Sequence, residues 1–220
     1  MTSASEFPHP RALPKAVLFD MDGTLTAPML DFPIIKAEMG IGDRPILEAL
    51  AEMNAERRSQ AEAILLRHEE HAAQQSALNL GCHELLNWLS ERNIRRALIT
   101  RNSPSSVRTV LARHGLAMDL TISRGDPPFK PDPHPLRLAC RKLMLTENDV
   151  WMVGDGSHDI EAGLAAGVKT VWLSHGNPRH FKAEPWQVVR DLPELQGLLV
   201  AVEEVNRRDA SSLHPGPKPA

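Results

Sequence analysis

The chain has 220 residues, a length that suggests one domain of about 150 residues with room for an insertion. Its 25 Lys and Arg against 28 Asp and Glu give a formal net charge of −3, which excludes a protein that binds nucleic acid through a strongly basic surface. Apolar residues make up 42% and charged residues 24%, a composition that excludes disorder over the whole length. No apolar run reaches the ~18 residues that a membrane-spanning helix needs, so we expect no membrane-spanning segment.

The two ends of the chain have the composition of tails. Residues 1–14 and 207–220 are rich in proline and poor in apolar side chains, and the first ten residues lack the basic start and apolar stretch of a secretory signal. The two cysteines, Cys82 and Cys140, have no spacing typical of zinc sites or of paired redox thiols. We therefore expect a cytoplasmic protein in which both cysteines are small core residues.

Between the tails, short apolar runs alternate with helical patterns. Each run is too short for a helix and lacks polar alternation, which is typical of strands covered on both faces and therefore of a parallel sheet. The predicted strands are 16–19, 96–99, 120–122, 150–153, 169–173 and 187–189. The predicted helices between and after them are 83–92, 104–114, 134–143, 157–166 and 193–206. This alternation predicts an α/β fold with a doubly wound parallel sheet.

One segment interrupts the alternation. Residues 30–77 contain no strand pattern, whereas 46–54 and 55–75 have helical patterns rich in Ala, Glu and Arg. A gap of this length is too long for an ordinary loop. We therefore predict a small helical cap at 30–77 that is inserted into an α/β core domain formed by 15–29 and 78–206.

A pair of histidines in this segment, in the sequence His68-Glu69-Glu70-His71, invites interpretation as a metal site. The metalloprotease pattern HExxH places its histidines four positions apart, whereas these two are three apart. The surrounding helix is dense in charge, so we expect residues 68–71 to form a solvated helix face.

Polar side chains follow the predicted strands at their carboxyl ends, where ligands bind in an open parallel sheet. Asp20, Asp22, Gly23 and Thr24 follow the first strand, Thr100, Arg101 and Asn102 follow the second, Lys130 lies in a proline-rich loop before the fourth, and Asp155 and Asp159 follow the fourth. The sequence therefore predicts that several carboxylates, a hydroxyl group and a lysine converge at one edge of the sheet.

Crowded carboxylates repel each other, which raises their pKa values and destabilises the fold unless a cation binds among them. Oxygen ligands of this kind suit Mg²⁺. A cation beside a free carboxylate, a lysine and a threonine forms a receptor for a phosphoryl group, in which Asp20 can attack phosphorus while Lys130 offsets charge on the oxygens. The turn at Gly23 directs Asp22 differently from Asp20. Asp22 can therefore act as general acid for the leaving oxygen and then as general base for water.

These residues lie in four motifs that resemble, in order, those of the haloacid dehalogenase superfamily. The motifs are Asp20-Met21-Asp22-Gly23-Thr24-Leu25-Thr26, Leu98-Ile99-Thr100-Arg101-Asn102, Phe129-Lys130-Pro131-Asp132-Pro133 and the segment 153–167. The resemblance covers about residues 16–200 and implies a Rossmann-like fold and an aspartyl-phosphate intermediate on Asp20. It also implies Mg²⁺ held by the Asp20 carboxylate, the Asp22 backbone carbonyl and Asp155, with Asp159 binding through water or orienting the set. Phosphate and substrate binding are expected from Gly23, Thr24, Thr100, Arg101, Asn102 and Lys130.

The acid at Asp22 narrows the class that the resemblance implies, because the family's 2-haloacid dehalogenases and phosphonate hydrolases lack it and its phosphatases and phosphomutases have it. We expect a Mg²⁺-dependent phosphatase, similar to phosphoglycolate phosphatases, that acts on a small phosphorylated metabolite as a monomer or homodimer. One alternative is a phosphomutase of the β-phosphoglucomutase type, which needs a cap that closes fully, whereas this cap is short. The other is a catalytically silent protein that binds a phosphorylated ligand, a role that needs neither a nucleophile nor an acid.

Overall fold

The computed structural model of the chain describes residues 12–178 and 184–212. Its strands are β1 (Ala16–Phe19), β2 (Arg95–Ile99), β3 (Leu120–Ile122), β4 (Val150–Gly154), β5 (Lys169–Leu173) and β6 (Gln187–Val189). Its helices are α1 (Phe32–Met39), α2 (Ile46–Ala51), α3 (Ala55–Gln75), α4 (Cys82–Glu91), α5 (Pro104–His114), α6 (His134–Leu143), α7 (Ser157–Ala166) and α8 (Leu192–Ser212). The strands form one parallel sheet in the order β3-β2-β1-β4-β5-β6, and the predicted α/β fold is confirmed.

The side chains of β1 alternate between two apolar clusters, one on each face of the sheet. Val17 and Phe19 belong to the cluster that includes α4, α5 and α8, whereas Ala16 and Leu18 belong to the cluster that includes α6 and α7. All four are fully buried, as the sequence pattern of a strand covered on both faces predicts. The sheet is therefore doubly wound, and β1 lies at its centre.

The register of the central strands sets the position of the loops that follow them. Phe19 is paired with Leu98 of β2 on one side and with Val153 of β4 on the other. The three strands therefore end almost level. As a result, the residues after β1, β2 and β4 leave the sheet at the same edge.

Helix α1 has no counterpart among the predicted helices. The Asp31 carboxylate caps it by accepting a hydrogen bond from the Ile34 amide at 3.0 Å, and it ends at Gly40. Its first turn exposes Phe32 and Ile34, so the apolar residues of this helix do not mark one buried face. The usual helical periodicity is therefore missing from its sequence.

Two other helices differ from the prediction in length. The helix predicted over 46–54 ends at Ala51, because the side chain of Asn54 instead caps α3 by accepting from the Arg57 amide at 3.0 Å. Helix α8 begins at Leu192 and continues past residue 206 to Ser212, so a helix is found where the C-terminal tail was predicted to begin. The remaining tail residues, 1–11 and 213–220, lie outside the described residues.

Helices α1, α2 and α3 pack around an apolar cluster of their own, which includes Ile35, Leu50 and Leu65. Helix α3 also packs against α5 of the main sheet layer. The chain leaves and re-enters the core at adjacent points, where the Ala27 amide donates to the Ala77 carbonyl at 2.9 Å. The boundaries 30–77 stay a prediction, and we refer to these residues below as the helical insertion.

Both cysteines are buried and unpaired, and burial raises the pKa of the Cys82 thiol to about 12 and that of Cys140 to about 11. They therefore lie in the core, as expected. In the part of the chain that the structure describes, every helix is too short or too polar to cross a lipid bilayer.

Candidate active site

Carboxylates that follow β1 and β4 meet at the shared edge of the sheet. Oxygens of Asp20, Asp155 and Asp159 lie within 4.8 Å of one another. The ammonium group of Lys130 lies among them, with its Nζ 2.7 Å from Oδ1 of Asp20 and 2.6 Å from Oδ1 of Asp159. Lys130 itself is only 2% exposed, so this charge is held away from bulk water.

Two glycines allow the loops to approach so closely. Gly23 has φ of 83°, and a Cβ atom there would lie 2.3 Å from Oδ2 of Asp155. Gly154, the last residue of β4, would place a Cβ atom 2.2 Å from the Asp159 carboxyl group. Any side chain at either position would therefore push one of the carboxylates out of the cluster.

Asp159 is fixed at the first turn of α7. Its Oδ2 accepts a hydrogen bond from the Gly156 amide at 3.1 Å, while its Oδ1 accepts from Lys130. Asp155 is held from the other side, because the indole Nε1 of Trp172 donates to its backbone carbonyl at 3.1 Å. These contacts fix both residues independently of each other.

Burial and crowding raise the pKa of two carboxyl groups of this cluster, those of Asp20 and Asp155. Burial raises the pKa of Asp20 to about 7, an effect that Lys130 opposes and that Asp159 and Asp155 increase. Burial likewise raises the pKa of Asp155 to about 7, with Asp159 adding to it. Burial on its own would lower the pKa of Lys130, but the two adjacent carboxylates outweigh it and raise that pKa.

The composition of this cluster fits a magnesium ion. Asp20, Asp155 and Asp159 supply hard oxygen donors, while Lys130 supplies a single positive charge against them. The excess of negative charge and the raised pKa values are what a bound divalent cation would relieve. The residues therefore meet the requirements of the predicted metal, although the Asp22 carboxylate is not among the three clustered groups.

Asp22 faces a different direction from Asp20. Its Oδ1 accepts a weak hydrogen bond from the Met29 amide at 3.4 Å, at the start of the helical insertion. Burial raises its pKa to about 7, and the Asp20 carboxylate adds to the effect. A carboxyl group with this pKa is partly protonated near neutral pH and can donate a proton to a leaving group.

Thr100 and Asn102 are joined by two hydrogen bonds. Thr100 is buried, and its Oγ1 accepts from the Asn102 amide at 3.2 Å and donates to Oδ1 of Asn102 at 3.3 Å. Thr24 is fully buried, and its hydroxyl group has no hydrogen-bond partner in the described part of the chain. Ser103, rather than Asn102, caps helix α5 by accepting from the Ser106 amide.

The side chain of Arg101 contacts the insertion and the Lys130 loop rather than the aspartate cluster. Its Nη2 donates to both oxygens of Glu48 in the insertion, at 3.0 and 2.9 Å, and its Nη1 donates to the backbone carbonyl of Lys130. The side chain that was expected to bind phosphate is therefore occupied by protein groups.

A cavity of about 350 Å³ lies between the insertion and the core. Its lining is mostly apolar on the side of the insertion and charged on the side of the core. The lining residues are Leu30, Phe32, Lys36, Pro45, Ile46, Leu47, Leu65, Glu69, Arg101, Asn102, Arg124 and His158. His158 is partly buried here, and burial lowers its pKa.

The structure corrects the expectation of a solvated face at residues 68–71. Glu69 is only 3% exposed, because its carboxylate forms a two-point ion pair with Arg124 and accepts from the Ser103 amide at 3.1 Å. Nothing local marks Glu69, since its partner Arg124 lies 55 residues further along the chain.

Asn79 and His175 are further residues that the sequence patterns did not single out. The Asn79 side-chain amide donates to the carbonyls of Gly23, Thr24 and Thr26, at 3.3, 2.8 and 3.1 Å. His175 Nε2 lies 2.6 Å from the Gly23 carbonyl oxygen. Both side chains hold the turn that follows Asp22.

Comparison with known proteins agrees with this arrangement. A family model described as haloacid dehalogenase-like hydrolase matches residues 14–167. A haloacid dehalogenase-like hydrolase domain-containing protein of Arabidopsis thaliana is 30% identical over 87% of this chain and 86% of that protein. The N-acetylmuramic acid 6-phosphate phosphatase of Pseudomonas aeruginosa is 31% identical over 77% of this chain and 88% of that protein. A solved hydrolase structure from Pseudomonas syringae has a TM-score of 0.73 at 20% identity, covering 84% of this chain and 98% of that chain. Because the sequence match covers most of the chain, this protein belongs to the haloacid dehalogenase-like hydrolase family.

Proposed function

We propose that this hydrolase is a Mg²⁺-dependent phosphatase that cleaves a small phosphomonoester through an aspartyl-phosphate intermediate. The observation that carries the proposal is the position of Lys130, whose ammonium group contacts Asp20 and Asp159 beside Asp155. A buried cation next to a carboxylate nucleophile suits a substrate with negative charge, because the cation offsets the charge that the substrate brings.

The first half of the reaction transfers the phosphoryl group to the enzyme. A carboxylate oxygen of Asp20 attacks phosphorus, and the bond between phosphorus and the ester oxygen breaks. The departing oxygen takes a proton from Asp22, whose raised pKa lets it carry one near neutral pH. Lys130 and the Thr100 hydroxyl group stabilise the non-reacting phosphoryl oxygens, and Gly23, Thr24 and Asn102 are the further residues proposed to contribute to binding the phosphoryl group.

The second half regenerates the enzyme. Water attacks the phosphorus of the acyl phosphate on Asp20, and Asp22, now ionised, accepts the proton of that water. The bond between phosphorus and the Asp20 oxygen breaks, which releases inorganic phosphate and returns the carboxylate. The same residue therefore serves as acid and then as base.

The metal would be held by Asp20, Asp155 and the backbone carbonyl of Asp22, with Asp159 binding through water or orienting the set. When bound, Mg²⁺ supplies positive charge that offsets the phosphate oxygens. Lys130 and the metal would then be complementary, because both would supply positive charge that offsets the charge of the phosphate.

We propose further that residues 30–77 act as a cap over the site and that the cavity beneath them receives the leaving group. Its volume of about 350 Å³ lies at the small end of ligand pockets, which supports a small metabolite. The relative from Pseudomonas aeruginosa is a phosphatase for N-acetylmuramic acid 6-phosphate, a phosphorylated metabolite, which supports the same class of substrate here. The apolar lining from Leu30, Phe32 and Ile46 favours a leaving group with some apolar surface.

The test is a screen of phosphorylated metabolites, with p-nitrophenyl phosphate as a generic substrate. We expect phosphate release with Mg²⁺, none with excess EDTA, and little with Ca²⁺, because Ca²⁺ takes more ligands at longer distances. Full activity in metal-free buffer would contradict the metal assignment, and no activity on any substrate would favour a phospho-ligand-binding protein. Analysis of products over time separates hydrolysis from a mutase, which returns a phosphorylated isomer rather than free phosphate.

A further inference from the structure

Arg101 is the residue at which three parts of the site meet. Its backbone follows Thr100 directly, its Nη1 donates to the carbonyl of Lys130, and its Nη2 binds both carboxylate oxygens of Glu48 on α2 of the insertion. The guanidinium therefore has three acceptors, two oxygens of Glu48 and the backbone carbonyl of Lys130, and together they fix its distance and orientation, which a single contact does not. The side chain is 19% exposed and therefore lies mostly inside the boundary between insertion and core.

A second ion pair across this boundary holds the backbone of Arg101 in place. Arg124 forms a two-point ion pair with Glu69 of α3, and its Nη1 also donates to the Arg101 carbonyl at 3.2 Å. Glu69 is 3% exposed, whereas Glu48 is 46% exposed. The boundary thus has a buried anchor at α3 and a more accessible contact at α2.

We propose that Arg101 is a positioning residue, through which Glu48 of the insertion holds the loop that carries Lys130 at its distance from Asp20. This rests on the proposed phosphatase function, since it assigns Lys130 a part in the reaction. Among the described residues Glu48 has no hydrogen bond or ion pair with Lys130 or Asp20, whereas its carboxylate contacts Arg101, so Arg101 is the contact through which we expect Glu48 to act. Placement of a charged group matters because a misplacement of about 1 Å can cost about 100-fold in rate.

The alternative role for Arg101, direct binding of the substrate phosphate, makes the opposite prediction for Glu48. If Glu48 merely competed with substrate for the guanidinium, Glu48→Gln would free Arg101 and lower KM. If Glu48 positions Lys130 through Arg101, the same change lowers kcat and does not lower KM, because a misplaced Lys130 contacts the phosphoryl group less well, not better.

The experiment compares Glu48→Gln, Arg101→Ala, Arg101→Lys and the double variant Glu48→Gln/Arg101→Ala with the intact protein. We expect kcat to fall about tenfold or more in Arg101→Ala, which is about 1.4 kcal/mol of transition-state stabilisation, and less in Glu48→Gln. Arg101→Lys recovers part of the loss because lysine keeps the charge but cannot donate to both partners at once. The double variant falls no further than Arg101→Ala, since the effect of Glu48 requires Arg101.

The matched control is the exposed pair Arg58 and Glu62, also in the insertion, whose side-chain atoms are 2.7 Å apart. Arg58→Ala and Glu62→Gln leave kcat and KM within about twofold and show what loss of an exposed ion pair does by itself. Unchanged kcat in Arg101→Ala, additive losses in the double variant, or a lower KM in Glu48→Gln would each overturn the proposal.

Hydrogen exchange gives a readout that does not depend on activity. We expect faster amide exchange in α2 in Glu48→Gln and Arg101→Ala, with the strands of the sheet unchanged and α2 unchanged in Arg58→Ala. If the intact protein hydrolyses no phosphomonoester, the proposed function fails whatever exchange shows. If it is active and neither kinetics nor exchange responds to Arg101, the function stands and the positioning role fails.

Discussion

Lys130 carries one positive charge into a group of four carboxylates, those of Asp20, Asp22, Asp155 and Asp159. Two of them contact it directly, and three have pKa values raised to about 7 by burial and mutual repulsion. Such an arrangement is unfavourable for folding and is found where charge has a chemical task. At the scale of single residues, function and stability are therefore expected to respond in opposite directions to the same substitution.

The first prediction is that Asp20→Asn abolishes turnover and raises the melting temperature of the metal-free protein near pH 8. The amide cannot form an acyl phosphate, and one of the repelling charges is removed. Initial rates and thermal unfolding measure both effects. Asp43→Asn, at an exposed position of the insertion, is the control and should leave the rate unchanged. Turnover by a preparation that mass spectrometry shows to be free of deamidated protein would exclude Asp20 as the nucleophile.

The second prediction concerns Asp22 and depends on the leaving group. An alkoxide needs a proton as it leaves, whereas p-nitrophenolate is stable without one, and general acid catalysis contributes about 10²–10⁴-fold where it is needed. Asp22→Asn should therefore slow transfer from an alkyl phosphate far more than transfer from p-nitrophenyl phosphate.

Single-turnover measurements with enzyme in excess isolate this step, because Asp22 also acts in the hydrolysis that all substrates share. Each tenfold difference between the two leaving groups corresponds to about 1.4 kcal/mol. An equal loss for both leaving groups would confine Asp22 to water activation or to the turn at Gly23.

At the scale of elements, the two chain segments that connect the helical insertion to the core lie next to each other. Thr26 and Leu78 form an antiparallel bridge there, beside the bond between Ala27 and Ala77. The insertion has its own apolar cluster, whereas the sheet and its two clusters are formed almost entirely by residues outside it. The core should therefore fold without the insertion.

The third prediction is that a Gly/Ser linker of about four residues, typical of a hairpin loop, can replace residues 30–77. We expect cooperative unfolding, partial activity on p-nitrophenyl phosphate and loss of discrimination among metabolites. Stability should fall, because Glu69 no longer pairs with Arg124 and α5 loses its contact with α3. Circular dichroism and the substrate screen test this against the intact protein. An unchanged ranking of substrates would locate specificity in the core loops.

At the scale of the whole molecule, the raised pKa values link stability to pH. A carboxyl group with a pKa of about 7 in the folded protein and about 4 in the unfolded chain binds more protons when folded. Between these values, folding stability falls as pH rises, and above about 7 the full cost of ionisation is present. A Mg²⁺ ion would bind the ionised form, so its expected stabilising effect grows over the same range of pH.

The fourth prediction is that, in EDTA, the melting temperature is higher at about pH 6 than at about pH 8.5, and that excess Mg²⁺ removes most of the difference. Thermal unfolding at both values, with and without Mg²⁺, measures this. The decrease in melting temperature between these two pH values in EDTA should be smaller for Asp20→Asn. In EDTA, a higher melting temperature at about pH 8.5 than at about pH 6 would contradict the predicted direction. An unchanged pH dependence of the melting temperature in Asp20→Asn would exclude Asp20 as a source of the effect.

The central strands of the sheet were predictable because each contains a short apolar run, as in Ala16–Phe19. The clustering of Asp20 and Asp155 was predictable as well, since parallel strands share one carboxyl edge. The partners of Glu48 and Glu69 were not, because these acids lie on charged helices and pair with arginines 53 and 55 residues away. Which face of such a helix meets the core depends on tertiary packing, and no local pattern of charge reveals it.

The central position of β1 has a consequence for how the protein is made. Among the described strands β1 comes first in the chain, yet both of its neighbours, β2 and β4, come much later. Their pairing brings together residues far apart in sequence, which makes folding slow compared with that of proteins with local contacts. Asp20, the proposed nucleophile, therefore leaves the ribosome before the residues that surround it in the folded protein. A nascent chain that has not yet reached Lys130 carries Asp20 without Lys130, Asp155 or Asp159, so the site can be assembled only after most of the chain has been translated.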